Sequence, residues 1–276
     1  MEADPVIVTG AADAAVVLHV PHSSRTLTPR ARARILLDDV ALAGELDHLT
    51  DAHTDVIAAR AAAAAASTPW MFSNRLSRLV VDPERFPDER EEMRAVGMGA
   101  VYTRTSHKEP LREPDPVHEE ELLARHYRPY ATALADLVDA RLADTGRAVI
   151  IDVHSYPSRP LPYELHATGE RPAICLGTDA THTPQWLVDA ATSAFAECGT
   201  VALDTPFAGC YVPLRHYRTQ PYVASIMVEI RRDIYMAEPG GPPTDGIVRV
   251  VRALTGLVDA VTRHLAGAIR VNRPGK

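Results

Sequence analysis

Apolar residues along the chain follow two rhythms, short β-branched runs and longer stretches at helical spacing. Ala14 to Val20 (AAVVLHV) is a valine-rich run closed by Pro21, and its length predicts a buried strand with His22 at its exit. From Pro29 through Ala66 the apolar positions Ile35, Leu36, Leu42, Leu46, Leu49, Val56 and Ile57 recur at helical intervals. Breaks near Asp38 and Thr50 divide this stretch into two or three helices. Trp70 to Val81 (WMFSNRLSRLVV) reads as a strand or strand pair stopped by Asp82-Pro83. Residues 83–117 carry Pro87, Pro110, Pro114, Pro116, Gly97 and Gly99 among many charges, which predicts a long loop insertion. A helix over 118–143 follows, with Leu122, Tyr127, Tyr130, Leu134, Leu137, Val138 and Leu142 on one face and a kink at Pro129.

Gly146 stops that helix, and AVIIDVHS then gives the clearest strand, its near-continuous apolar character typical of a central parallel strand with His154 at its exit. After a proline-rich loop over 157–172, PAICLGTD predicts a strand. Thr183-Pro184 opens a helix to about Glu197, and Thr200 to Asp204 forms a further strand. Beyond the loop FAGCYVPLRHYR, VASIMVEI is a buried strand with Glu229 near its end. Thr244 or Asp245 caps a last helix bearing Ile247, Val250, Val251, Leu254, Leu257, Val258, Val261 and Leu265 at helical period. Strands alternating with helices predict an α/β fold, a sheet with helices on both faces, and no internal repeat divides residues 1–276, so a single domain is expected. Ligands of such sheets sit beyond the carboxyl ends of the strands, where His22, His154 and Glu229 fall.

Composition narrows the function. With 46% hydrophobic and 24% charged residues the chain is not of a disordered kind, and a net charge of −7 disfavours a nucleic-acid groove. Acids near the start and Asp13 within the first apolar stretch do not read as a signal peptide, and no charge-free run reaches the roughly eighteen apolar residues of a membrane span. Three cysteines without CxxC spacing suggest neither a disulfide framework nor a thiolate zinc site, so a cytoplasmic setting is expected. The GxSxG elbow and glycine-rich phosphate loops are missing from the sequence.

Two imidazoles and a carboxylate make the ligand set of a catalytic zinc site that keeps a position open for water. For the carboxylate, ELDHLTDAHTD offers Glu45, Asp47, Asp51 and Asp55, with His48 and His53 between them. Asp47, Asp51 and Asp55 are spaced by four, so a helix would place them on one face, metal-facing or simply solvated. His154 follows Asp152 at the alternate position of an apolar strand and needs a partner, whether a metal or Asp152 and Ser155 themselves. Glu229, at the end of another apolar strand, suits a general base with a raised pKa; a salt bridge to Arg231 or Arg232 is the plainer role. Arg75, Arg78 and Arg85 suit bidentate binding of a substrate carboxylate, or ion pairs with Asp82 and Glu84.

The ordered set VPHSS (20–24), TDAHTD (50–55), SNRLSRLVVDPER (73–85), GMGAVYT (97–103), IDVHSY (151–156), FAGCYVPL (207–214) and VEIRRDIY (228–235) resembles the N-formylglutamate amidohydrolase family over nearly the whole chain. The resemblance implies a mixed, mostly parallel sheet flanked by helices, similar to zinc carboxypeptidases and the aspartoacylase group. It implies one zinc ion on His22, Asp51 and His154, with Asp47 as the reserve for the third ligand. Glu229 becomes the base; Arg78, with Arg85 or Arg215, binds the carboxylate of a small acyl amino acid. Cleavage of N-formyl-L-glutamate to formate and L-glutamate, a step of histidine degradation, is the activity implied. The chain departs from the family in reading Asp82-Pro83-Glu84-Arg85 where relatives commonly read Asp-Leu-Asn-Arg, and in having Cys210 in FAGCY. Both departures bear on the acyl group and amino acid accepted. The rival expectations are a zinc peptidase or amidase on another peptide-like bond, and an idle relative that binds a metabolite or a partner protein.

Overall fold

In the computed structural model, which describes residues 4–165 and 169–271, a seven-stranded sheet runs in the order β1-β3-β2-β4-β7-β5-β6. Its strands are β1 (Val6–Val8), β2 (Val16–Val20), β3 (Trp70–Ser73), β4 (Ala148–Tyr156), β5 (Ile174–Gly177), β6 (Val201–Leu203) and β7 (Val223–Arg231). The sheet is mixed and mostly parallel. β2 pairs in parallel with β3 and β4, β4 with β7, and β5 with β6; β1–β3 and β5–β7 are antiparallel. The helices are α1 (Pro29–Arg32), α2 (Asp39–Leu49), α3 (Thr54–Ala64), α4 (Pro116–Leu122), α5 (Arg128–Thr145), α6 (Gln185–Phe195) and α7 (Gly246–Val271). Among the described residues no helix is long and apolar enough to cross a membrane.

Side-chain alternation sorts the central strands into two faces. Leu18, Val20, Val149, Ile151, Val153, Ile226, Val228 and Ile230 point into one core, which α3, α6 and α7 complete with Ile57, Leu187, Leu254, Leu257 and Val261. Val17, Ala148, Ile150 and Val223 point the other way, under Tyr130, Leu134 and Val138 of α5. On that second face the alternation continues through His19, Asp152, His154 and Glu229, so the polar residues of the site share one side of the sheet near the carboxyl ends of its strands. All nine residues of β4 are buried, which is why its first four, AVII, are apolar on both faces.

The breaks expected at Asp38 and Thr50 are real: Asp38 caps α2, accepting from the Ala41 N–H at 2.8 Å, and the Thr50 N–H closes that helix on the Leu46 carbonyl. The Trp70–Val81 run is a strand only to Ser73. Leu79, Val80 and Val81 are apolar because the segment over 83–117 packs on them, burying Met93, Met98, Ala100, Tyr102 and Leu111 in two further core clusters. That segment holds one turn of 3-10 helix, Glu92–Val96. The helix expected over 118–143 is two helices, α4 and α5, joined by a π-helical turn at Leu123–Tyr127, after which Pro129 falls in the first turn of α5. The proline-rich loop over 157–172 lies partly outside the described residues.

Candidate active site

A cavity of about 710 Å³ opens over the polar face of β4 and β7, and His22, Asp51, Arg78, Glu84, His154 and Glu229 are among the residues lining it. His22 follows β2 by two residues. Its carbonyl accepts from the Asp51 N–H at 3.0 Å, which fastens the α2–α3 corner, with Asp51 at its apex, to the end of β2. That corner also answers the spacing question. The helix ends before Thr50, so Asp47, Asp51 and Asp55 do not share a helical face: Asp47 is bound by Arg25 at 2.5 Å, Asp55 is exposed on α3, and Asp51 alone is buried beside the histidines.

Nδ1 of His22 lies 3.3 Å from Nδ1 of His154; Asp51 Oδ2 lies 3.1 Å from the latter and 3.7 Å from the former. Ligands held tetrahedrally at roughly 2.0–2.1 Å from a zinc ion are separated by about 3.4 Å, so these three atoms already stand at coordination spacing. An outer partner fixes the His22 tautomer: its Nε2 donates to Asp82 Oδ1 at 2.9 Å, which leaves the Nδ1 lone pair facing the Asp51 carboxylate. His154 Nε2 lies 3.0 Å from Asp152 Oδ1 without the alignment of a hydrogen bond, and its Nδ1 faces Asp51. Asp51 is oriented through its other oxygen, which accepts from Arg232 at 3.1 Å; Arg232 also donates to Ser155 Oγ. Two facing imine nitrogens and a carboxylate in a buried site repel one another without a cation between them, and the donor set fits a divalent metal.

Glu229 is the register partner of His154 across β4 and β7, and one of its carboxylate oxygens is buried without a hydrogen-bond partner. Burial, reinforced by the nearby Asp51 charge and opposed by His154, Arg78 and Arg232, pushes its pKa up to about 7. Asp82 behaves oppositely: Arg78 and His22 outweigh the cost of burial and hold its carboxyl well below the usual range. Arg78 donates to Asp82 Oδ2 at 2.8 Å and to the Tyr102 hydroxyl at 3.0 Å, and Tyr102 itself donates to Asp82 Oδ2 at 2.5 Å. Arg85 also lines the cavity, 3.7 Å from Asp82 and 3.6 Å from Glu91. Arg215 does not reach it. Its half-exposed guanidinium is bound by Asp136 and Asp139 of α5 at 2.7 and 2.6 Å, which removes the reason to expect it at the substrate.

Sequence reasoning gave the outer partners only in part. Asp82 was legible as the residue that stops a strand and as an ion-pair partner for the arginines, a pairing found with Arg78, but not as the partner of His22; Arg232 was legible only as a salt-bridge partner for Glu229. His19 and Asp152 carried one signal: polar side chains at alternate positions of apolar strands, on the same face as His154.

The profile of the N-formylglutamate amidohydrolase family matches residues 14–236, which include every residue of this site. The chain belongs to the N-formylglutamate amidohydrolase family. A crystal structure of an N-formylglutamate amidohydrolase from Ralstonia eutropha JMP134 shares the fold, with a TM-score of 0.80 at 22% identity over 96% of this chain and 99% of that one. The gene product Atu2144 from Agrobacterium tumefaciens aligns at a TM-score of 0.67 and 18% identity, covering 97% of this chain and 96% of its own. A metallo-carboxypeptidase from Pseudomonas aeruginosa aligns at a TM-score of only 0.39 and 10% identity, over 95% of this chain and 61% of its own. No curated protein matches the chain in sequence. Family membership makes an amide bond the object of the chemistry.

Proposed function

We propose that the chain, as one domain, is a zinc-dependent cytoplasmic amidohydrolase that cleaves an N-acyl amino acid, N-formyl-L-glutamate to formate and L-glutamate being the reaction that its family favours. The observation that carries this reading is the convergence of His22 Nδ1, His154 Nδ1 and Asp51 Oδ2 beside a carboxyl, Glu229, whose pKa of about 7 suits proton exchange near neutrality. A zinc ion held there would supply Lewis acidity, polarising the amide carbonyl and lowering the pKa of water at the site. Glu229 takes the proton from the attacking water and returns it to the leaving amine, a role for which its unpartnered oxygen is available. Asp82 holds the His22 ring in the Nε2–H form. Arg78, clamped on one edge by Asp82 and Tyr102, has a terminal nitrogen without a bond to the described residues and uses it for the substrate carboxylate, with Arg85 behind it. Zinc hydrolysis of another peptide-like bond is the competing reading, favoured by Glu84, an acid beside the metal ligands where an anionic substrate must come.

The test is turnover of N-formyl-L-glutamate by chelator-stripped protein before and after zinc is added. Activity that appears only with zinc, and is greater on this substrate than on N-acetylglutamate or N-formylglutamine, supports the proposal. Zinc-restored activity confined to other amides transfers the chain to the competing reading; no activity on any acyl amino acid refutes both.

A further inference from the structure

Besides Glu229, Glu84 and Asp152 are the carboxylates at the metal end of the cavity that no arginine or lysine pairs with among the described residues. Asp51 has Arg232, and Asp82 has Arg78 and Arg85, whereas the only basic groups within ion-pair distance of Glu84 and Asp152 are imidazoles. The two are also close together, since Asp152 Oδ1 lies 2.8 Å and Glu84 Oε1 3.4 Å from the same atom, His19 Nδ1. These three donor atoms lie within 4.8 Å of one another, as those of the first set do, and the 2.8 Å between His19 Nδ1 and Asp152 Oδ1 is a hydrogen bond whose proton a cation would replace.

Two unsatisfied atoms point to an occupant. Glu84 Oε1 is buried with no hydrogen-bond partner, although the residue lines the open cavity. His154 Nε2, on a side chain 4% exposed, lies 3.1 Å from Glu84 Oε2 and 3.0 Å from Asp152 Oδ1 without the alignment of a hydrogen bond to either. A buried pair of like charges with imidazoles alone to offset it is costly unless a cation sits within it. His19 is ready to serve as its nitrogen ligand. Fully buried, it has Nε2 2.5 Å from the Tyr130 hydroxyl oxygen, which can accept a proton placed on Nε2 when a cation replaces the Nδ1–Asp152 hydrogen bond.

We propose that His19, Glu84 and Asp152 form a second divalent-cation site beside the His22–Asp51–His154 set, with Glu84 shared between them. Glu84 spans the two sets. Its Oε1 faces His19 Nδ1, while its Oε2 is 3.8 Å from His22 Nδ1, one of the first set's donor atoms. A carboxylate bridging two ions is a feature of paired-metal hydrolytic sites, in which the second ion helps to bind and polarise the oxygens of the reacting group. The same arrangement gives the acid at position 84 a purpose. Its charge is offset by an ion, so it no longer opposes an anionic substrate.

Metal counting tests the site without reading activity, so it stands or falls separately from the substrate proposed above. Full-length protein stripped by chelator is reloaded with excess Zn²⁺ or Co²⁺, freed of unbound ion and analysed for metal per chain; crystals of the zinc-loaded protein are measured on both sides of the zinc absorption edge. Two equivalents are expected, with one anomalous peak among His19, Glu84 and Asp152 and one among His22, Asp51 and His154. His19→Gln should retain one equivalent and only the second of these peaks, and His22→Ala only the first. One equivalent in the saturated wild-type protein overturns the proposal whatever the variants do, as does a second peak placed away from His19 and Glu84.

Discussion

Glu229 is buried at the polar end of β7, and its raised pKa has consequences for both rate and stability. As a base it must be ionised, so kcat/KM should climb about tenfold per pH unit below its pKa, which a cation on the neighbouring ligands draws down from the metal-free value, and level off above it. Glu229→Gln removes the base but keeps the shape; a fall of about three orders of magnitude or more in kcat/KM with metal content unchanged is expected from steady-state kinetics beside metal analysis. For stability the sign reverses. A carboxyl whose folded pKa exceeds its unfolded value of 4.5 favours the fold while protonated, and that advantage is lost as pH rises from 4.5 to about 7. At pH 8 the metal-free fold therefore carries a burden of about 3 kcal/mol that Gln does not, by the 1.36 kcal/mol of each pKa unit. Urea melts of metal-free protein should show Glu229→Gln more stable than wild type at pH 8 and the difference gone at pH 4. Asp82 is the other residue whose removal is informative: Asp82→Asn unseats the His22 ring and loosens Arg78, and chelator competition should show metal affinity reduced about 10–100-fold.

At the scale of elements, the strands that carry the site were the most legible because their sequences answer to one physical demand. β2, β4 and β7 are covered on both faces, so they are written as runs of valine and isoleucine, and a His, Asp or Glu within such a run has to face something that accepts it. His154 and Glu229 could be picked out on that ground alone. Asp51 could not, because its place depends on a corner between two helices whose spacing of acids suggested a continuous face. β1 was missed as well: its three residues are exposed, and only pairing to β3 makes them a strand. The apolar end of the Trp70–Val81 run misled for the opposite reason, since burial beneath a long excursion writes the same letters as burial in a sheet. Because β4 lies between β2 and β7, it sets the separation of His22 from Glu229. Ile151→Ala on β4, pointing away from the site into the larger core, should cost about 2–5 kcal/mol in urea unfolding while leaving the metal count unchanged.

For the whole molecule, the ligands come from parts of the chain that have no contact until the sheet and the α2–α3 corner are assembled. His22 follows β2, Asp51 sits at the corner, and His154 lies on β4, more than a hundred residues from either. The unfolded chain cannot gather them, so an ion bound by this set favours the folded state by RT ln(1 + [M]/Kd), about 4 kcal/mol at a free concentration a thousand times Kd. Ion binding also relieves the crowding of two imine nitrogens and a carboxylate, and removes the need for a proton between them. For a chain of this size each kcal/mol moves the melting temperature by roughly 2–4 °C, which makes the expected gain on adding zinc about 8–16 °C. A calorimetric scan of stripped protein, with and without zinc buffered at known free concentrations, measures it. The gain should rise with the logarithm of free zinc and shrink in Asp51→Asn by the share that the His22–Asp51–His154 set contributes. A melting temperature that ignores zinc would mean that the three donor atoms, close as they stand, hold no ion.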